Sequence, residues 1–320
     1  MPDQHVRGPY SSSSAAGASA PPPVPPRLPP PGTDRTGMAI GLMCATAFIF
    51  ALQDGFSRVL GQAYPPVLVV MFRYWFFALF VIALVARQPG GLKRAVRTKR
   101  PVTQILRGVI LVLEVLIMVE AFVRLGLVET HAVFTAYPLL VAALSGPVLG
   151  EKVGWRRWTA IGIGFVGILV ILQPGSGVMR IEALLPFVAA LMFALYGLLT
   201  RHVSRDDPPM VSFFWTGVAG AVAITLVGIW DWQWLAPIDW IWMAGLCVCG
   251  MTSHYLMIRA YEMAEASALQ PFAYTQLVWV SIIGVTIFGE VLRPNVVVGA
   301  VIVVMAGLFT LWRARVKSTG

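Results

Sequence analysis

Residues 128–173 read VETHAVFTAYPLLVAALSGPVLGEKVGWRRWTAIGIGFVGILVILQ. Two apolar runs, 128–149 and 156–173, each come near the ~20 residues that cross a bilayer core, and the short joint between them carries Gly150-Glu151. The same dipeptide returns as Gly289-Glu290, 139 residues further on, and that offset also pairs Ala121 with Ala260, Val141 with Val280 and Phe122 with Tyr261. A chain that repeats itself at long period is built from two like units.

Working outward, the rest of the chain has the same character. Of 320 residues 58% are apolar and only 12% charged, with a mean hydropathy of +0.76. Counted with glycine, the apolar share is roughly 65%, against ~45–50% in soluble domains. A water-soluble globule is excluded, and the long runs predict an all-α integral membrane protein. Expected spans lie near 37–57, 66–86, 105–125, 128–149, 156–173, 181–201, 209–230, 239–259, 266–288 and 294–313. Residues 1–36 differ in kind, with a Ser/Ala stretch and eight prolines between Pro21 and Pro31. They read as a disordered cytoplasmic tail without the apolar core of a signal peptide, and residues 314–320 as a second cytoplasmic tail.

The net charge of +9 is spread over short loops and so marks topology rather than a nucleic-acid face. With the N-terminus inside, 18 Lys and Arg fall on the inner side and four, Arg58, Arg124, Arg180 and Arg293, on the outer side. Cytoplasmic loops carry the excess of Lys and Arg, so both termini are expected in the cytoplasm. Trp230, Trp232, Trp234, Trp240 and Trp242 read as an interfacial belt, with a Trp-lined ligand site as the alternative. Residues 37–173 and 181–313 hold five spans each, and an odd number inserts the second unit upside down, predicting an inverted pair that favours alternating access.

Ala121-Phe122, Tyr137-Pro138, Leu149-Gly150-Glu151 and Gly164-Phe165-Val166-Gly167 resemble the EamA repeat of the drug/metabolite transporter superfamily. So do Arg259-Ala260-Tyr261, Pro271, Tyr274 and Gly289-Glu290 in the second unit. The resemblance runs from residue 37 to about 313. It implies a ten-helix carrier in the inner membrane, its substrate cavity lined by spans one to four and six to nine, with spans five and ten as outer supports. Members similar to this chain move amino acids, S-adenosylmethionine, riboflavin and other small metabolites. The second unit departs from the pattern at Leu277, where the first has Pro138.

Charged groups inside spans are costly and face a cavity or a partner. At 1.5 Å per residue, Asp54 lies about 5 Å, Glu120 about 8 Å and Arg73 about 10 Å from the outer ends of their spans. Their common depth predicts either a structural ion-pair network or an external gate or substrate-charge site. Glu114, near midplane, is read either as a proton carrier for coupled transport or as a partner of Arg73. His131, Thr135, Tyr137 and Pro138 answer Gln270, Pro271, Tyr274 and Gln276, where prolines free backbone carbonyls. With Phe134 and Trp279, the aromatic and amide groups would suit a flat heterocycle, or else pack as core. His254 and Tyr255 are expected at the wall, and His131 at the membrane interface. The candidate substrate-binding or coupling residues are thus Asp54, Arg73, Glu114, Glu120, Tyr137, His254, Gln270, Tyr274 and Gln276. Glu151 and Glu290 read as structural hinges that favour a helix N-terminus. Gly162, Gly164 and Gly167 permit close helix contact within the monomer or in a homodimer.

Other classes find less support. Cys44, Cys247 and Cys249 form no ligand-spaced set, His5, His131, His202 and His254 are dispersed, and no HExxH or GxSG motif occurs. No enzyme activity, metal or cofactor is expected. A single-chain inverted repeat supplies no channel ring, whereas a lipid-carrier flippase would place polar residues toward lipid. The expected activity is secondary transport of a small polar or planar metabolite, riboflavin first, then amino acids or S-adenosylmethionine.

Overall fold

A computed structural model describes residues 33–150, 154–173, 181–263 and 266–318. Among these no strand occurs, as hydrocarbon demands of a chain whose backbone must satisfy itself. The first unit comprises α1 (Thr33–Ala63), α2 (Pro66–Ala86), the short α3 (Gly91–Val96), α4 (Pro101–Leu125), α5 (Leu127–Phe134), α6 (Tyr137–Leu149) and α7 (Trp155–Leu172). The second comprises α8 (Leu185–Val203), α9 (Pro209–Gly228), α10 (Asp239–Met263), α11 (Ala266–Ala273), α12 (Thr275–Phe288) and α13 (Pro294–Ser318). Eight stretches are long and apolar enough to cross a membrane. Two further helices of 25 residues, α4 and α10, lie among them.

Helix ends follow local chemistry. Pro66, Pro101 and Pro209 open α2, α4 and α9, where a missing N–H costs nothing and φ is already helical. α1 runs past the expected end at residue 57 to Ala63, because nothing breaks it before Tyr64, which precedes Pro65. It also begins at Thr33, inside the stretch expected to be a tail, while residues 1–32 lie outside the described residues. At the other end α13 carries its helix through 314–318. The basic loop after α2 contains α3, which the loop reading missed.

The 139-residue offset reappears in backbone geometry. α6 and α12 both end in a left-handed glycine, Gly150 (φ 72°, ψ 20°) and Gly289 (φ 65°, ψ 25°), a conformation that side chains with a Cβ resist. Spans four and nine are each broken, α5 from α6 at Thr135-Ala136 and α11 from α12 at Tyr274. Leu277 in place of proline therefore does not remove the second break. Packing partners exchange as well: α1 lies along α10 and α4 along α8, while α2 pairs with α9 and α7 with α13. Exchanging the five spans of one unit for those of the other turns α1–α10 into α8–α4 and returns α2–α9 and α7–α13 to themselves.

The α7–α13 pair stands apart. Gly167 faces the backbone of Gly299, where a Cβ would come within 2.9 Å of its carbonyl oxygen, and Gly164 faces Leu139 and Ala306. These two glycines serve contacts within the monomer, and Gly162 faces open space. The opposite faces of the pair expose Ile163, Val166, Leu169, Val297, Val301 and Met305, as lipid-facing surface does.

Candidate functional site

A cavity of about 610 Å³ lies between the two units. Its walls come from α1, α2, α4, α5, α6 and α8 to α12, and α7 and α13 contribute no residue. Phe50, Phe77, Phe134, Tyr137, Phe193, Tyr196 and Phe213 supply aromatic faces, and Met43, Met118, Met251 and Met257 pliable apolar ones. Four charged side chains reach the cavity: Asp54, Arg73, Glu114 and Arg201.

Asp54, on α1, is joined across the unit boundary. The Gln276 amide donates to its carboxylate at 2.9 Å, and His131 Nε2 lies 3.1 Å from the same oxygen. The other His131 nitrogen faces the Leu127 carbonyl at 3.1 Å, and its ring stacks on Phe122 with centroids 5.2 Å apart. His131 is thus buried within the protein, 3% exposed.

Arg73 and Glu114 face the cavity from α2 and α4 without forming an ion pair with each other, and neither makes a hydrogen bond to another described residue. His254 also lines the wall, bonded to the Gly250 carbonyl at 2.7 Å and ringed by Phe50, Phe77 and Phe213. Tyr255, the next residue, points away and is exposed, since successive helical side chains diverge by about 100°.

Several expected members lie elsewhere. Glu120 pairs with Arg124 one turn along α4 and is not part of the wall, so the network of Asp54, Arg73 and Glu120 does not form. Equal depth placed these groups at one level, but their directions around three helices differ. Tyr274 turns toward Gly307 of α13 and lines only a small recess with Thr135 and Pro138, and its buried hydroxyl has no hydrogen-bond partner among the described residues. Trp279 packs edge-on against Phe48. The side chain of Gln270, and all of Glu151, lie outside the described residues. The five tryptophans, with Trp230 and Trp234 strongly exposed, sit outside the cavity, as a belt would.

Each end of the bundle holds a polar cluster. At one end, Glu290 pairs with Arg58 and accepts the first amides of α5, Leu127 N–H at 2.7 Å and Val128 N–H at 2.9 Å. Glu290 therefore caps a helix of the other unit, not the helix that follows it. Only glycine fits beside it, since a Cβ on Gly126 would come within 2.6 Å of the carboxylate.

At the opposite end Arg107, 2% exposed, donates to Thr200 Oγ1 at 2.8 Å, Thr216 Oγ1 at 2.6 Å, the Ser212 carbonyl at 3.3 Å and Gln104 Oε1. Its guanidinium also lies over the Tyr196 ring. Gln104 passes the contact on to Asp207 at 2.9 Å. Burial pushes the Asp207 carboxyl up, but bonds from Thr98, Gln104 and the Lys99 N–H together hold it below the usual carboxylate range. Sequence reasoning gave Arg107 no role. Gln104 and Arg107, polar and three apart in an apolar run, share one helix face and were the available signal.

The profile of the EamA-like transporter family matches residues 37–173 and 180–312. The chain belongs to the EamA-like transporter family. This EamA protein is 26% identical to the S-adenosylmethionine uptake transporter of Rickettsia prowazekii (strain Madrid E), over 83% of its own length and 89% of the relative's. It is also 26% identical to the riboflavin transporter of Vibrio cholerae serotype O1, over 87% and 91% of the two chains. The riboflavin transporter of Rhizobium johnstonii is 28% identical over 78% and 82%. A crystal structure superposes with a TM-score of 0.59 over 89% of this chain and 100% of the other. At 16% identity that likeness concerns the fold alone. The EamA chain is a multi-pass membrane protein of a transporter family.

Proposed function

We propose that the protein is a secondary transporter of a small metabolite with a planar ring, of the size and polarity of riboflavin or S-adenosylmethionine. The observation that carries this reading is the cavity itself. It is enclosed by both units, has aromatic walls wide enough for a heterocycle, and holds charged groups that hydrocarbon tolerates only where something hydrophilic is bound. The location of these groups inside the bundle, with apolar faces of α7 and α13 outward, favours a carrier over a lipid-carrier flippase.

In this reading the protein lies in the inner membrane with both termini cytoplasmic, so that Glu290 marks the outer end of the cavity and Arg107 the inner end. A proton gradient drives accumulation, with the Asp54–His131 pair and Glu114 as the groups placed to carry the proton. The test is uptake of labelled riboflavin and S-adenosylmethionine into vesicles holding the purified protein, with and without a pH gradient. Saturable flux that the gradient enhances is expected, and no saturable flux of either compound overturns the reading. Full gradient-driven accumulation in Glu114→Gln would leave Asp54–His131 as the proton site.

A further inference from the structure

The segment that follows α2 gathers six cations, Arg87, Lys93, Arg94, Arg97, Lys99 and Arg100, and no Asp or Glu occurs between residues 87 and 104. Left-handed Gly90 and Gly91 turn the chain there. The short α3 then packs on the end of α2 and the start of α9 through Ala95, which is buried with Val81, Val85 and Phe214. The six cations divide into two sets. Lys99 and Arg100 serve the protein, the Lys99 N–H donating to Asp207 at 3.1 Å and the Arg100 side chain to Asp206. Arg87, Lys93, Arg94 and Arg97 are exposed, and their side chains form no hydrogen bond or ion pair with another described residue.

At about 100° per residue, positions 92, 95 and 96 share one face of α3, and positions 93 and 94, with 97 at the helix end, fall on the other. Ala95 faces the protein, while Leu92 and Val96 stay exposed. Two residues beyond Arg100 the chain enters the apolar exterior of α4, where Val102, Ile105 and Leu106 are exposed, after about 3 Å of helical rise. Exposed apolar side chains beside unpaired cations, at the mouth of a span, mark the level where hydrocarbon meets phosphate. Topology alone requires only that cations lie on one side of the membrane. It requires them neither unpaired nor set opposite apolar side chains on one turn. A soluble phosphate would leave Leu92 and Val96 in water, whereas a lipid covers them.

We infer that α3 and its flanks form a binding site for an anionic phospholipid, with Arg87, Lys93, Arg94 and Arg97 on the headgroup phosphate and Leu92 and Val96 against the acyl chains. Guanidinium groups take phosphate oxygens in pairs, which suits three arginines to this task. None of these residues lines the cavity, so the site is separate from the transported molecule. On the orientation proposed above, the lipid belongs to the inner leaflet. It sits beside the contacts of Thr98, Lys99 and Arg100 with Asp207, Asp206 and His202, which tie this segment to the turn between α8 and α9.

The experiment titrates delipidated full-length protein in neutral detergent with phosphatidylglycerol or phosphatidylcholine of the same acyl chains, and counts bound lipid by native mass spectrometry. Each cation near an anionic surface contributes roughly fivefold, so four of them predict a preference for phosphatidylglycerol of roughly tenfold or more, weakening as salt rises. Arg87→Gln, Lys93→Gln, Arg94→Gln and Arg97→Gln combined should abolish that preference, while Arg87→Lys, Arg94→Lys and Arg97→Lys combined should keep most of it. At the far end, Arg124→Gln with Arg293→Gln should leave it unchanged. Wild-type protein that binds both lipids equally overturns the site. A preference that survives the four glutamine substitutions, or that falls as far in the far-end variant, removes it from α3. Displacement of the lipid by an equal amount of soluble glycerol phosphate makes the ligand a free phosphate and overturns the lipid assignment. Binding is read without any transported molecule, so absent vesicle flux would remove the transporter reading and leave this site standing. The wild-type comparison needs no variant, so poor folding of a mutant cannot rescue the claim.

Discussion

The two ends of the bundle close by different chemistry. At the Glu290 end the contact joins opposite charges, Arg58 with Glu290, and the same carboxylate also takes two amides of α5. At the Arg107 end a buried cation is surrounded by neutral oxygens from α4, α8 and α9, with the nearest carboxylate, Asp207, reached through Gln104. Separating opposite charges in a poorly polarisable interior is expensive, because each is left alone. Bonds from one guanidinium to several hydroxyls and a carbonyl are individually weaker and can be traded one at a time. The difference predicts that the Glu290 end opens in a single step, like a clasp, whereas the contacts of the Arg107 end can be exchanged one at a time.

The largest expected effect is Glu290→Ala, which strands Arg58 and uncaps α5 together. A loss of roughly 3–5 kcal/mol is expected in unfolding of the detergent-solubilised protein. Adding Arg58→Met should restore part of it, since no lone charge then remains, and a double variant no better than the single one breaks the clasp description. Arg107→Met should cost less, roughly 1–2 kcal/mol, because it leaves neutral groups unpaired instead of a charge. If it costs more than Glu290→Ala, the contrast between the two ends is reversed.

Asp207→Asn sharpens the comparison through pH. The native carboxyl is held below its usual range, so its contribution is full above the unfolded carboxylate value of about 3.9 and is lost as pH falls through the lowered native value. The variant should be less stable than wild type near pH 7, by about 1–2 kcal/mol, and the gap should close as the pH drops below about 4. A gap independent of pH would show that the amide loses geometry rather than charge. Smallest of all is Glu120→Ala. Its exposed pair with Arg124 should be worth no more than about 0.5 kcal/mol, and a larger loss would mean that exposed and buried pairs differ less than the clasp description requires.

How far the sequence could be read depended on dimension. Position along a helix axis follows from a fixed rise per residue, so the repeat offset that ends in Gly150 and Gly289 was legible. Direction around the axis was not, and Glu120 was grouped with Asp54 and Arg73 on depth alone. His131 was placed by counting from the end of its span, and its contacts with Asp54 and Phe122 could not be counted that way. Glu290 was expected to serve the helix that follows it, a local assumption that fails when the nearer orphan amides belong to the other unit.

By itself, the amino-acid sequence determined that this chain lives in a membrane, that it is made of two like units of opposite sense, and that polar groups interrupt its apolar spans. Those properties reside in run length, composition and repetition, each of which acts through neighbours in the chain. Only the tertiary structure decided which charges meet and which face the cavity, leaving Arg73 and Glu114 at the wall with no hydrogen bond or ion pair among the described residues while Asp54 and Glu290 found partners. Pairing between side chains depends on helix rotation and packing distance, and these are set by contacts more than a hundred residues apart in sequence, such as Arg58 with Glu290.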